Sequence, residues 1–277
     1  MSSMIDFVNL SPKACQAKDK AGWMALFDYY HIVEDPVGSA PHVGGIYQNK
    51  DHYRGNGALS RFFDTFIAPN NIQFNVNQDI VHGYDVVRDV TLIITMSANV
   101  EIEVPMYLLY ELRERDESVK IARLAAHWAF LPMIKQLMQK GLSALPVGLN
   151  LTLRMLKYQG LQGTLGFGKA AFSVGSAGQQ CIATLTQSIA VQDLPAVMQC
   201  FDHDEVSILN INENRSCSCP SALLDQPLFH DIRFERLITA GDTVSSRFIS
   251  SQSSGVAFFE FNRKNKKITH IKLFHVN

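Results

Sequence analysis

Two carboxylates stand out for the company they keep. Asp35 lies in Ile32-Val33-Glu34-Asp35-Pro36-Val37-Gly38, after an apolar edge and before a proline. Glu111 lies among Tyr107, Leu109 and Leu112 in a segment that reads as a strand. A carboxyl group in apolar surroundings is driven toward a raised pKa, and two in unlike surroundings can divide the roles of base and acid. Such a pair can do general acid–base work. A plainer assignment stands beside it: Asp35 caps the turn at Pro36, and Glu111 pairs with Arg113 or Arg123. Leu124, Trp128 and Phe63 could line a pocket around the pair or simply fill the core.

Other chemistry fails on residue type. Gly163-Thr-Leu-Gly-Phe-Gly168-Lys169-Ala170 nearly matches a phosphate-binding loop, but Ala170 replaces the hydroxyl residue that would hold Mg²⁺. Cys217-Ser-Cys219 lacks the two-residue gap and the distant partner pair of a zinc site. No cofactor or metal is therefore expected. Asn150-Leu-Thr152 and Asn214-Arg-Ser216 are sequons without a secretory leader.

The chain's bulk properties narrow the class further. Its 277 residues suggest two domains, and 47 % hydrophobic with 18 % charged residues is a globular composition. Twenty-five Lys+Arg against 26 Asp+Glu leave no basic field for phosphates, so no nucleic-acid partner is expected. Five scattered cysteines do not make a disulfide framework, and no signal peptide or membrane span is visible. A cytoplasmic location is the expectation.

The elements that must position the acids are legible in outline. Ser11-Pro12 starts a helix, and Asp19 caps a second one carrying Trp23, Met24, Phe27 and Tyr30 at helical spacing. A turn-rich stretch from Asp35 to Gly57 leads to a helix over 59–67. Strands follow at 86–96, 104–113 and 119–128, the last two a hairpin. Tyr107, Leu109 and Glu111 point to one face, Leu108, Tyr110 and Leu112 to the other, and both rows are largely apolar. Such a sheet needs cover on both sides, from its own helices and from a partner.

Residues 118–192 contain no Asp or Glu but seven basic residues, Lys120, Arg123, Lys135, Lys140, Arg154, Lys157 and Lys169. Within them, 132–160 reads as two amphipathic helices interrupted at Pro146-Val147-Gly148, and 160–178 as a Gly/Ser-rich linker. Peripheral membrane contact by 132–160 is the lesser expectation. Helices that strap two halves together, with solvated lysines, is the greater.

The opening then recurs. Asp193-Leu-Pro-Ala-Val-Met198-Gln-Cys-Phe201-Asp202 repeats the spacing of Asp19 to Asp28, and a second hairpin, 256–261 with 268–275, closes the chain. An internal duplication is expected, its copies packing on each other as a fused dimer. Leu209 stands opposite Asp35 and Glu260 opposite Glu111, so the second copy keeps an acid without a base. The expected division is 1–131 for a first domain with the pocket, 132–172 for a helical and Gly-rich connector, and 173–277 for the degenerate copy.

Val33-Glu34-Asp35-Pro36-Val37-Gly38, with Asp28-Tyr-Tyr-His-Ile before it and Arg54-Gly55, Leu59 and Phe62-Phe63 after it, resembles the ketosteroid isomerases and their SnoaL-like polyketide-cyclase relatives. The resemblance covers most of 10–130. It implies an α+β cone, three helices on a curved, mostly antiparallel sheet, in tandem here, with an apolar pocket between the layers. The wider nuclear transport factor two-like superfamily includes members that only bind.

The resemblance puts the general base on Asp35. A second carboxyl group, held protonated to donate to the substrate oxygen, falls seventeen residues before Trp128, on Glu111. Phe27, Phe63, Tyr107, Leu109, Leu124 and Trp128 would surround a small apolar substrate. The usual phenols depart from the pattern. Their positions carry Ser11, Phe27 and Phe63, leaving Tyr30, Tyr47, Tyr53 or Tyr107 as substitutes. The implied activity is a cofactor-independent isomerase or cyclase; the alternatives are a binding module for a hydrophobic ligand and a structural pseudo-dimer.

Overall fold

A computed structural model describes residues 3–45, 53–96, 100–203, 207–210 and 215–276, with no side chains at 53–56, 210 and 215–217. The chain divides into two units, Met1–Ala171 and Phe172–Asn277.

The first unit opens with α1 (Met4–Val8), α2 (Leu10–Ala17) and α3 (Lys20–Ala25). Asp19 caps α3 by accepting from the Gly22 amide. α2 starts at Leu10 after Asn9, so Ser11 sits inside the helix and its hydroxyl is free for tertiary use. Phe27 and Tyr30, expected on a helix, lie on strand β1 (Phe27–Glu34). The run Phe27-Asp-Tyr-Tyr-His-Ile-Val is aromatic and β-branched, and it finds a parallel partner in β6.

The sheet runs β2-β1-β6-β5-β4-β3, with β2 (His42–Val43), β3 (Asn71–His82), β4 (Asp85–Thr95), β5 (Glu101–Arg115) and β6 (Ser118–Trp128). Apart from the β1–β6 pair, neighbours are antiparallel. α4 (Tyr53–Phe62) continues into a π turn at Phe63–Ile67. One sheet face carries the core, with Leu108, Tyr110 and Leu112 of β5 meeting Trp23, Leu59 and Phe63 in a single apolar cluster. The opposite row is buried too, Tyr107 fully and Leu109 to 4 % exposure.

The segment expected as connector belongs to the first unit as far as Ala171. α5 (Phe130–Gln139) is followed by a short turn and by α6 (Ala144–Gly168). The break expected at Pro146 falls earlier, because proline in a first helical turn has no amide bond to lose. Most of the expected linker is helical as well: α6 passes through Gly160, whose φ of 69° a side chain would resist, and runs to Gly168, and only 172–174 lie outside helical turns before helix resumes at Gly175. Gly166 lets α6 approach the chain before β2: its carbonyl accepts from the Ala40 amide, and an added Cβ would stand 2.6 Å from the Ala40 Cβ.

The second unit has α7 (Gly175–Ala190), α8 (Leu194–Gln199), β7 (Ser207–Asn210), β8 (Arg215–Cys217), α9 (Ala222–Asp225), α10 (Pro227–His230), and β9 (Arg233–Ala240) to β12 (Ile268–Val276) by way of β10 (Thr243–Ile249) and β11 (Ser254–Phe261). Its sheet order, β8-β7-β12-β11-β10-β9, follows the same sequence of neighbours as the first, with β7 parallel to β12. Asp193 caps α8 from the same backbone shape as Asp19, φ and ψ of −85° and 87° against −81° and 87°.

Candidate active site

β1 ends at Glu34 because Pro36 cannot donate to a ladder and holds the residue before it extended. Val37 rejoins the sheet through its amide to the Ala126 carbonyl. Asp35 is thereby fixed beside β6, and its Oδ1 accepts a hydrogen bond from Trp128 Nε1 at 2.5 Å. The carboxyl faces a cavity of about 150 Å³ between the helices and the sheet. Burial raises its pKa to about 6, against the opposing pull of the Trp128 bond. Among the described lining residues Asp35 is the lone acid.

The cavity floor is the even-numbered row of β5, Ile102 through Tyr110, with Leu124, Ala126 and Trp128 of β6. Helix α2 supplies Ser11 and Cys15, the segment after α4 supplies Phe66, and the roof is Leu151, Arg154 and Phe167 of α6. Cys15 is no nucleophile here: burial lifts its thiol to about 12, so the reactive thiolate is absent near neutral pH. Arg154 is the lining cation, partly desolvated, and its buried Nε has no hydrogen-bond partner among the described residues.

Tyr110 is not among the site residues that the sequence singles out. Its hydroxyl is hydrogen-bonded to Ser11, whose Oγ accepts from Trp23 Nε1 at 3.1 Å. Burial raises the phenol to about 12, partly offset by the Arg88 guanidinium, so it remains a neutral donor at neutral pH. Arg88 is held against Asp79 by two bonds of 2.7 and 2.8 Å and reaches Asn9 at 2.6 Å. A phenol thus sits on the strand beside Ser11, the position the family resemblance assigns to a tyrosine. The signal was in the sequence as strand parity: Tyr110 shares a face with Leu108 and Met106.

Parity also corrects the expectation for Glu111, which does not share the hollow with Asp35. β5 and β6 pair Met106 with Trp128 and Glu111 with Arg123, so residues on Trp128's face are an even count away in β5. Seventeen is odd, and Glu111 lands on the reverse face. There Arg123 bonds Glu111 at 2.7 Å and Glu34 at 2.6 Å.

The remaining expected residues divide the same way. Leu124 and Trp128 line the cavity. Tyr107 and Leu109 are on Glu111's face. Phe27 and Phe63 are outside the lining and pack on Trp23, with ring centroids 4.7 and 5.8 Å away. Phe62 and Phe66 take the lining positions instead. Of the suggested substitute phenols, Tyr30 is exposed, and Tyr47 and the Tyr53 side chain lie outside the described residues. In the second unit, Glu260 is 3.5 Å from His270. Among the described residues no group of three His, Cys, Asp or Glu is placed to hold a metal ion, and no helix is long and apolar enough to cross a membrane.

No family model and no curated protein matches the chain. Solved structures do. A Δ5-3-ketosteroid isomerase from Mycobacterium sp. is 26 % identical over 45 % of this chain and 92 % of its own, with a TM-score of 0.37. A Mycobacterium tuberculosis protein in complex with estradiol-17β-hemisuccinate is 21 % identical over 47 % and 95 %, with a TM-score of 0.39. A candidate SnoaL-like polyketide cyclase from Shewanella putrefaciens is 12 % identical over 50 % and 88 %, with a TM-score of 0.40. The chain is similar to ketosteroid isomerase-like and SnoaL-like α+β proteins, and that similarity concerns fold, not activity.

Proposed function

We propose that the first unit is a cofactor-independent proton-transfer enzyme acting next to a carbonyl of a small, mostly apolar substrate. The observation that carries this reading is Asp35: a carboxyl group with its pKa raised to about 6, facing an otherwise largely apolar cavity and held in orientation by Trp128. A base poised near neutral pH is what abstraction of a carbon-bound proton requires.

Asp35 takes the proton from the carbon beside the carbonyl, and the C–H electron pair becomes the enolate. Trp23 donates to Ser11 and Ser11 to Tyr110, which leaves the Tyr110 proton for the enolate oxygen. Asp35 then returns the proton to a different carbon. Atoms balance as an isomerisation, and the carboxylate is regenerated. Tyr110 fills the donor role in place of Glu111. Arg154 in the roof favours substrates with an oxygen-rich end.

A second reading, a module that binds a small hydrophobic ligand without turnover, is favoured by Glu111 facing away from the cavity. Deuterium exchange separates the two. With β,γ-unsaturated cyclic ketones in D₂O, the proton-transfer reading expects exchange at the α-carbon that Asp35→Asn abolishes. Saturable binding with no exchange in either protein refutes it and leaves the binding module. The matching strand orders and helix caps of the two units support an internal duplication.

A further inference from the structure

The roof of the cavity has a second face, and it is built backwards for a helix in water. Along α6 and the turn before it, Leu142, Leu145, Leu149, Leu153 and Leu156 recur at intervals of three and four, so they form one stripe. They are exposed by 84, 66, 61, 54 and 43 %. The opposite side of the same helix, Val147, Leu151 and Met155, faces the protein. Beyond Gly160, Leu161 and Leu165 are likewise exposed, and on α5 so are Leu131 and Met138. A stripe of exposed leucines along one helix face marks a contact face.

The charged residues carried within 130–169 are all basic. Lys135, Lys140, Lys157 and Lys169 are exposed around these helices, and the sequence from 118 to 192 contains no acid. An acid does approach at one place: the β5 backbone at Glu103 shares two hydrogen bonds with Gln136 of α5. Leucines flanked by lysines suit an anionic bilayer surface, where the apolar stripe enters the acyl boundary and the ammonium groups meet lipid phosphates and carboxylates.

We infer that the exposed face of α5 and α6 docks on anionic lipid membranes, bringing the roof of the Asp35 cavity to the bilayer. Docking needs only the leucine stripe and the lysines, so it stands whether or not Asp35 is a base. A membrane is also where a small apolar substrate concentrates, and Leu151, Arg154 and Phe167 are the cavity side of the docking helix.

The test is co-sedimentation of the full chain with vesicles of phosphatidylcholine alone and of phosphatidylcholine mixed with phosphatidylserine. The expected result is binding to the mixed vesicles that weakens with salt. Replacing Leu145, Leu149, Leu153 and Leu156 together by Gln abolishes it with an unchanged far-ultraviolet spectrum. Each of Lys135, Lys140, Lys157 and Lys169 changed to Gln weakens it by about fivefold. Sedimentation with neither vesicle, or sedimentation that the leucine variant leaves intact, overturns the inference. So does a dimer in solution that the leucine variant dissolves while no vesicle binding is seen, because a second copy then covers the face.

Discussion

Trp128 Nε1 donates to Asp35 Oδ1 across 93 positions of the chain. Two opposed influences meet in that carboxyl group: burial, which disfavours its charge, and the indole bond, which favours it. Burial wins, and the group titrates at about 6. Trp128→Phe removes the donor and keeps an aromatic ring over the cavity. The pKa of Asp35 then rises above about 6, and the low-pH limb of the exchange rate moves to higher pH. A limb that stays where it was assigns the titration to another group.

Asp35 also sets a pH dependence of stability. Its folded pKa, about 6, lies above the unfolded value near 3.8, so the folded state holds an extra proton between the two. Its stabilising contribution is full below the unfolded pKa and is lost as pH rises through about 6. Asp35→Asn removes the ionisation and leaves an oxygen for Trp128. The variant should gain on the order of 2–3 kcal/mol at pH 8 and nothing at pH 3, while losing exchange activity. Urea unfolding at the two pH values is the measurement; equal midpoint shifts at both contradict a buried, raised carboxyl group.

Tyr110→Phe tests the donor. The phenyl ring keeps the apolar packing of the floor, and Ser11 keeps its bond from Trp23. Loss of one oxyanion donor lowers the exchange rate by roughly 10²–10³-fold. Stability falls by only about 0.5–1.5 kcal/mol for one buried hydrogen bond. The rate should fall with little change in ligand affinity, since the bond tightens as charge develops on oxygen. A fall in affinity alone shows Tyr110 to be a packing group.

How far the sequence reached is clearest at these residues. Alternation and turn residues locate β4 and β6 to within one residue and β5 to within three, because a strand's apolar rows are set locally. The Asp35 motif is likewise local, an apolar edge followed by a proline. What failed were features decided across the fold. The start of β1 fits a helix in sequence, because Phe27 and Tyr30 continue the 3.6-residue period of Trp23 and Met24, and only its pairing with β6 settles the matter. Residues 160–178 fit a linker in sequence because their glycines permit close approach, as Gly166 does at Ala40, as readily as an open chain. The roof of α6 over the cavity left no sequence signal except an arginine without a nearby acid.

Glu111 gives the sharpest contrast with Asp35, since counting in sequence made the two partners and strand register places them on opposite faces. Its carboxylate shares Arg123 with Glu34, and its side chain is 35 % exposed. Water screens such a pair, and Arg123 keeps Glu34 when Glu111 is lost, so Glu111→Gln changes stability by about 0–1 kcal/mol. The exchange rate should stay at the wild-type level, while Asp35→Asn in the same assay abolishes it. Each variant is a single carboxylate-to-amide change, one at a carboxyl group facing the cavity and one on the reverse face of the sheet, so the contrast tests that placement. A loss of more than about tenfold for Glu111→Gln, roughly 1.4 kcal/mol in the barrier, would restore Glu111 to the cavity. The β5–β6 register would then be shifted by one residue, with Tyr110 turned out of the hollow.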